Sequence, residues 1–259
     1  MKVTFFAPVR NDWTHAERLL ASIRRTFRWM PWEMIFVDDA SKPDQVLLAK
    51  KLKENFGFRV IFNSEHKGIV SCLNQLVKEL PPGIAIPVSA DMELCNSFFP
   101  WVLQYAFVLK KADFVFAKCR HNHVATQKCA GVTGWATERG IQKVSNSKEE
   151  FVTGKTRPSG YAVALRSCFV KQYGYDQALG PLCDFYLNNL MILKHKAFYY
   201  GKVVSITLQR KASYSGSFNQ ADSLALVEKT ITKFESDGVI LTNAQKSRYR
   251  EFERSQWPH

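Results

Sequence analysis

The chain has 259 residues, 46% of them hydrophobic and 13% aromatic, with a formal net charge of +13. That length suits one large α/β domain or two small ones, and the composition is that of an ordinary soluble protein with material for a core. The first apolar run meets Pro8 too early for a signal peptide, and no window approaches a transmembrane span. Cys72, Cys95, Cys119, Cys129, Cys168 and Cys183 are scattered without a Cys-x-x-Cys pair. Such spacing suits reduced thiols in a cytoplasmic protein better than a disulfide framework. The charge is unevenly divided. Residues 1–100 carry 13 Lys and Arg against 11 Asp and Glu, whereas residues 101–259 carry 23 against 12. A one-sided basic excess favours a polyanionic partner such as nucleic acid, a phosphorylated glycan or an anionic membrane, beside the plainer reading of a solubilising surface.

In chain order, Lys2 to Ala7 reads as a strand that Pro8 stops. Thr14-x-x-Glu17 reads as a capping box opening a helix, with Ala16, Leu19, Leu20, Ile23 and Phe27 on one face and Arg18, Arg25 and Arg28 off it. Met34 to Val37 is an apolar run of strand length that ends in Asp38 and Asp39. Ser41 then caps a helix with Pro43 and Asp44 in its first turn; Leu48, Leu52 and Phe56 form its stripe and Gly57 ends it. Arg59 to Phe62 is a third strand. Gly68 to Leu80 is a third helix, with Ile69, Cys72, Leu73, Leu76, Val77 and Leu80 inward. Ile84 to Val88 is a fourth strand, ending at Ser89-Ala90-Asp91-Met92-Glu93. Crossovers of this size predict a parallel sheet covered on both faces. Ligands of such sheets bind past the carboxyl ends of the strands, so Asp39 and Asp91 are expected near one crevice.

Residues 96–111 read as a further helix that starts loosely around Pro100, and residues 113–117 as a strand. Residues 118–159 lose periodicity and read as a long, functional or disordered loop. A strand-like run resumes over 160–165. Asp184 stands before an apolar helix over 185–193, a late strand covers 203–208, and a helix from about 221 to 235 precedes a basic, aromatic tail. No internal repeat is present.

Five motifs in this order resemble the inverting nucleotide-sugar glycosyltransferases of the GT-A fold, and in particular glycosyltransferase family 2. The family's Pro-Thr-Tyr-Asn is here Pro8-Val9-Arg10-Asn11, and its Val-Asp-Asp-Gly-Ser is Val37-Asp38-Asp39-Ala40-Ser41. Its Asn-x-Gly turn is His66-Lys67-Gly68, with Asn74 beyond. Its Asp-x-Asp metal motif is Ser89-Ala90-Asp91, followed by Glu93, and its late Glu-Asp pair is Cys183-Asp184, downstream of Gly174-Tyr175-Asp176. The resemblance spans about residues 1–215. It implies an α/β, Rossmann-like, mostly parallel central sheet flanked by helices, with the acceptor-side part C-terminal. Residues 1–100 would form the donor half, 101–215 the acceptor-binding and catalytic half, and 216–259 a helical, basic tail, all within one compact domain. It further implies that Asp39 accepts from the pyrimidine ring of a UDP-sugar. Pro8, Arg10, Asn11, Lys67, Gly68 and Ala90 would line the donor, Asp91 with Glu93 would bind Mn²⁺ or Mg²⁺, and Asp184 would be the general base. The ion would stabilise the departing nucleoside diphosphate, and the displacement would invert the anomeric carbon.

The sequence departs from the family at Arg10, Ser89 and Cys183, where tyrosine, an acid and glutamate are usual. Plainer roles stand beside the sharp ones: Asp184 as a helix cap, Glu93 as a loop acid, Lys67 as a solvated lysine. Cys119-x-His121-x-His123, with Cys129 beyond, has ligand types suited to zinc but not a usual structural spacing, and an acceptor-side loop is preferred. Lys246, Arg248, Arg250 and Arg254 interleave with Tyr249, Phe252 and Trp257. That pattern suits either phosphate or membrane contact or a terminal helix packing its aromatics on the domain. The expected acceptor is anionic: a phosphorylated or lipid-linked glycan first, with DNA bearing hydroxymethylated pyrimidines, modified by a phage-type enzyme, as the alternative. A non-catalytic nucleic-acid-binding module would leave the ordered acids idle. A sugar nucleotidyltransferase would need a glycine-rich loop after the first strand. The expected location is the cytoplasm, with a peripheral place on the inner membrane surface, or the cytoplasm of a phage-infected host, as alternatives.

Overall fold

The structure is a computed structural model that describes residues 1–123, 129–133, 140–144, 146, 148–152, 162–209 and 220–256. The first four strands are β1 (Val3–Val9), β2 (Trp32–Asp39), β3 (Arg59–Asn63) and β4 (Ile84–Pro87). Helices α1 (Trp13–Thr26), α2 (Pro43–Phe56) and α3 (Ile69–Glu79) connect them. All four strands are parallel, in the order β3-β2-β1-β4. Their carboxyl ends therefore share one edge. Alternate side chains face opposite layers. Phe5, Ala7, Met34 and Phe36 pack under α1 and α2, while Phe6, Ile35 and Val37 pack under α3.

The sheet continues without a break into the second part of the chain. It adds β5 (Met92–Leu94), β6 (Phe114–His123), β7 (Cys129–Thr133), β8 (Ile141–Lys143), β9 (Val163–Arg166) and β10 (Ala197–Gln209). Its order beyond β4 is β9-β6-β10-β5, with β7 on β6 and β8 on β10. Because β9 is antiparallel to both β4 and β6, and β6 is parallel to β10, the long strands β6 and β10 point the same way as β1 to β4. Helices α4 (Phe99–Gln104), α5 (Lys148–Val152), α6 (Ser167–Tyr173), α7 (Cys183–Lys194), α8 (Gln220–Ser236) and α9 (Asn243–Gln256) complete the described chain.

Several local expectations are corrected. Pro8 does not stop β1. Phe6 sends its carbonyl to Val88 N–H of the β4 side, and Pro8, two residues on, faces that side beyond the ladder's end at Phe6–Pro87. Its missing N–H is not needed there. Helix α1 starts after Asp12, not with a Thr14 box, and α2 starts after Lys42, because Ser41 is occupied elsewhere. Ile69 is exposed instead of inward. The helix expected over 96–111 is a short α4 that continues as a π-turn over Tyr105–Leu109. Lys110 N–H there reaches back five residues to the Tyr105 carbonyl at 3.0 Å. Part of the supposedly aperiodic stretch is β structure: β6 runs on to His123, and β7 and β8 follow. Helix α5 also falls within that stretch, while residues 124–128, 134–139, 145, 147 and 153–159 lie outside the described residues.

Candidate active site

The two acids at the end of β2 are both buried and have different partners. Asp38 accepts from the Trp13 indole N–H at 2.6 Å and from Ser41 N–H at 3.0 Å, and so ties α1 to the turn after β2. Asp39 turns to the loop between β3 and α3. Its Oδ1 accepts from Lys67 N–H at 2.7 Å; its Oδ2 accepts from Gly68 N–H at 3.0 Å and from His66 Nδ1 at 2.6 Å. An ionised carboxylate only accepts, so the proton of this pair belongs to Nδ1. Burial alone pushes the Asp39 pKa up. The Lys67 amide, the Cys72 thiol, the His66 ring and the Gly68 amide outweigh it and hold the carboxyl below its usual range. Gly68 sits at φ 84, a conformation that costs other residues strain.

Asn11 braces the neighbouring turns. At φ 55, its N–H donates to Ser41 Oγ at 2.8 Å and its Oδ1 accepts from Lys42 N–H at 2.8 Å. Ala40 also lies in the left-handed region, at φ 57. The glycine usual at that place in the motif thus has a backbone reason. Pro8, Arg10, Asn11, Asp39, Lys67 and Gly68 come together on three adjacent turns of the carboxyl edge. Arg10 and Lys67 are exposed there.

The next turn along that edge carries Ser89, Ala90 and Asp91, closed by Met92 N–H on the Ser89 carbonyl at 3.0 Å. Ala90 is buried, and the Ser89 hydroxyl donates to Asp91 Oδ1, so serine orients the acid from the place where a second acid is usual. Glu93 lies in β5 and pairs with Arg18 Nη2 of α1 at 2.8 Å. Sequence reasoning missed a neighbour on this side. Cys119 and His121 alternate on β6, and Thr207 Oγ1 of β10 touches both, at 3.8 Å from Cys119 Sγ and 2.6 Å from His121 Nδ1. Burial lowers the His121 pKa, and the charge of Asp91 pulls it back only in part. The i, i+2 spacing of Cys119 and His121 was read, but on a loop; the strand that sets them beside Thr207 was what escaped. The Cys119 and His121 side chains contact a threonine hydroxyl, which gives no support to a zinc site; the side chains of His123 and Cys129 lie outside the described residues.

Among the described residues, no three His, Cys, Asp or Glu side chains converge on one point. That is no obstacle to a substrate-borne ion. Magnesium or manganese commonly takes one or two carboxylates and completes its shell with phosphates and water. Asp91, partly accessible and oriented by Ser89, fits such an ion; a preformed protein cage does not fit.

Asp184 enters from the second part of the chain. Helix α7 ends at Lys194, just before β10 starts at the amino edge, and its 12 residues carry its first turn back toward the carboxyl edge. Leu187, Leu190 and Met191 anchor it on the sheet with Phe114, Phe116 and Tyr199. Asp184 Oδ1 accepts from Phe185 N–H at 2.6 Å, so the acid does serve the helix start. It keeps an accessible edge, yet protein surrounds it closely. Desolvation pushes its pKa up to about 6, against the pull of the Phe185 amide and its own. Tyr175, buried nearby, feels its charge. The Asn74 side chain of α3 clasps the Tyr175 backbone from both sides, donating to its carbonyl at 2.7 Å and accepting from its N–H at 2.9 Å. Asn74 and Tyr175 belong to the sequence motifs, but their pairing across 101 residues was not legible there.

The acids thus stand at element ends of the α/β sheet: Asp39 closes β2, Asp91 follows β4 and Asp184 lies in the first turn of α7. The family model described as Glycosyl transferase family 2 matches residues 4–168, and the chain belongs to that family. It is a glycosyltransferase. Among solved structures, it is similar to S. aureus TarS 1-349 in complex with UDP-GlcNAc, at 15% identity and a TM-score of 0.73, over 97% of this chain and 71% of that one. It is also similar to the mannosyltransferase PcManGT from Pyrobaculum calidifontis in complex with GDP-Man and Mn²⁺, at 14% identity and a TM-score of 0.62. That match covers 97% of this chain and 68% of the other. A longer S. aureus TarS chain matches at a TM-score of 0.70 and 14% identity, over 95% of this chain and 41% of its own length. A search of curated protein sequences found no match. At such identities the structural likenesses speak for the fold, which is the expected GT-A-like α/β fold.

Proposed function

We propose that this enzyme moves a sugar from a nucleoside-diphosphate sugar, UDP-linked by preference, to a hydroxyl of an anionic or glycan acceptor in a single inverting displacement. The observation that carries the reading is Asp184, a reachable carboxyl held near pKa 6 by desolvation. A general base works best with a pKa near the operating pH, and an ordinary carboxylate is too weak. Ionised Asp184 takes the proton from the acceptor hydroxyl as its oxygen attacks the anomeric carbon, and the nucleoside diphosphate leaves from the opposite face.

On the donor side, Asp39 organises the loop of His66, Lys67 and Gly68 against the end of β2; for its carboxylate to accept from a ring N–H such as that of uracil, the His66 ring would have to give way. Pro8, Arg10, Asn11 and Ala90 complete the donor wall. Asp91 is the residue assigned to the metal; Glu93, tied to Arg18, is at most a supporting acid. When bound, Mn²⁺ or Mg²⁺ supplies positive charge against the leaving diphosphate. The solved TarS and PcManGT complexes, with UDP-GlcNAc in one and GDP-Man and Mn²⁺ in the other, are in keeping with this reading. The acceptor assignment keeps a phosphorylated or lipid-linked glycan ahead of DNA, because tail cations that would hold a phosphate backbone are paired internally. Lys246 meets Glu235 at 2.5 Å, Arg248 meets Glu149 at 2.7 Å and Arg250 meets Glu228 at 2.5 Å.

The test is release of free nucleoside diphosphate from a panel of UDP-, GDP- and dTDP-sugars, with and without Mn²⁺. Turnover of a UDP-sugar that chelation abolishes and Asp91→Ala lowers at least about a hundredfold is the expected result. Absence of turnover with every donor would overturn the reading.

A further inference from the structure

Between Asn96 and Leu109 the chain carries no charged residue, and the helical segment Phe99–Leu109 within it is apolar but for the exposed Gln104. One side is accounted for: Phe99, Val102, Leu103, Ala106 and Phe107 are buried in the core. The other side is not. Phe98, Trp101, Tyr105, Val108 and Leu109 recur at helical spacing on the solvent face, with Phe98 and Leu109 each 69% exposed and Trp101 61% exposed. Exposed apolar patches of this kind, here interrupted by Gln104 alone, mark an interaction surface.

The charges around the stripe say what covers it. Lys110 and Lys111 stand exposed at its carboxyl end, with the Lys110 ammonium 5.4 Å from the centre of the Tyr105 ring. At its other end Cys95, three residues before Phe98, is within reach of the charges of Arg25 and Arg120, both exposed. The stripe is thus apolar and aromatic with cations at both ends. Tryptophan and tyrosine favour the headgroup region of a bilayer, and cations beside them meet anionic lipid. A second copy fits less well. A two-fold pairing of this face sets cations against cations whichever way the stripes run.

We propose that the Phe98–Leu109 face seats this protein on an anionic membrane surface, with the aromatic stripe among the headgroups and Arg25, Arg120, Lys110 and Lys111 against lipid phosphate. The seat does not depend on the nature of the sugar donor. It moves the membrane contact from the C-terminal tail, where the sequence alone allowed it, to the helix after β5.

The test is co-sedimentation of the purified protein with phosphatidylcholine vesicles, with and without phosphatidylglycerol. Wild type is expected to sediment with the anionic vesicles and not with the neutral ones. The Trp101→Ser/Leu109→Ser variant should bind at least about tenfold more weakly, since it removes two large apolar side chains from the buried contact. The Lys110→Glu/Lys111→Glu variant should lose a comparable factor, and only on anionic lipid. Phe62→Ser, which alters an exposed aromatic elsewhere, should bind as wild type does. All these positions are exposed, so unchanged melting temperatures are expected. Failure of wild type to bind anionic vesicles, or equal binding by all variants, would overturn the proposal. So would a dimer, or binding of a single-stranded oligonucleotide, that Trp101→Ser/Leu109→Ser abolishes while vesicle binding stays.

Discussion

At Asp184 stability and chemistry oppose each other. Its carboxyl titrates near 6 in the folded chain against an ordinary value of 3.8. The folded state therefore holds more protons between those values. Its favourable contribution is complete below about pH 3.8 and is lost as the pH rises through 6. Above pH 7 the enzyme carries a buried charge that costs up to about 3 kcal/mol. Asp184→Asn keeps an oxygen for Phe185 N–H and removes the charge. It should be more stable than wild type at pH 7.5 by about 1–3 kcal/mol in denaturant melts, equal to it near pH 4, and slower by about 10²–10⁴-fold. Wild-type kcat/KM should rise with pH through about 6. A variant that is inactive yet no more stable at pH 7.5 would deny Asp184 its buried charge. A second residue carries strain of another kind. Ala40 at φ 57 occupies a conformation costing a non-glycine residue about 1–2 kcal/mol. Ala40→Gly relieves that cost and gives part of it back as unfolded-chain entropy, so a net gain of about 0.5–1 kcal/mol is expected in a thermal melt.

Between elements, the clasp of Asn74 on Tyr175 joins the donor side to the acid side. Helix α3 begins at the loop held by Asp39, and six residues on it fixes the backbone that leads through a 3₁₀ turn over Gln177–Leu182 to α7. Asn74→Ala removes two partly buried hydrogen bonds and should cost about 1–2 kcal/mol of stability. Since it frees the segment before Asp184, kcat should fall about tenfold to a hundredfold while the donor KM changes little. A rise in donor KM at constant kcat would place Asn74 on the donor instead. Elements with strong periodicity were legible in the sequence: β2 and its two acids, the buried face of α1, the Gly57 end of α2. What escaped was set by distant partners. Ser41 is withdrawn from capping α2 by Asn11, thirty residues away. The ladder of β6 with β10 makes a strand of residues whose local pattern is weak. The positions of the three acids were legible because each lies at the end or the start of an element. Their partners, His66 for Asp39, Ser89 for Asp91 and the Phe185 amide for Asp184, depend on the folded geometry.

For the molecule as a whole, the C-terminal helices follow one of the two readings of the tail, a terminal helix that packs Tyr249 on the domain. Their basic residues invited a polyanion, yet Lys246, Arg248 and Arg250 each have a carboxylate partner within the chain. Tyr249, which sits among them in sequence, is 1% exposed. Its ring meets Phe234 of α8 at 6.4 Å, and Phe234 meets Tyr186 of α7 at 4.7 Å, two residues from Asp184. Tyr186 in turn donates to Asp237 at the end of α8. The tail is thus a brace behind the helix that holds the acid. Its aromatic layer should dominate the energetics, because exposed ion pairs contribute little. Tyr249→Ala should cost about 3 kcal/mol or more, as large-to-small changes in cores do, whereas Arg248→Ala and Arg250→Ala should each cost under about 1 kcal/mol. Denaturant melts of the three variants measure this directly. If the tail were a phosphate-binding arm, the order would reverse in function: the arginine variants would lose acceptor affinity, with a shallower salt dependence, and Tyr249→Ala would act through them. The brace requires the opposite, with activity following melting temperature in Tyr249→Ala and unchanged in the arginine variants.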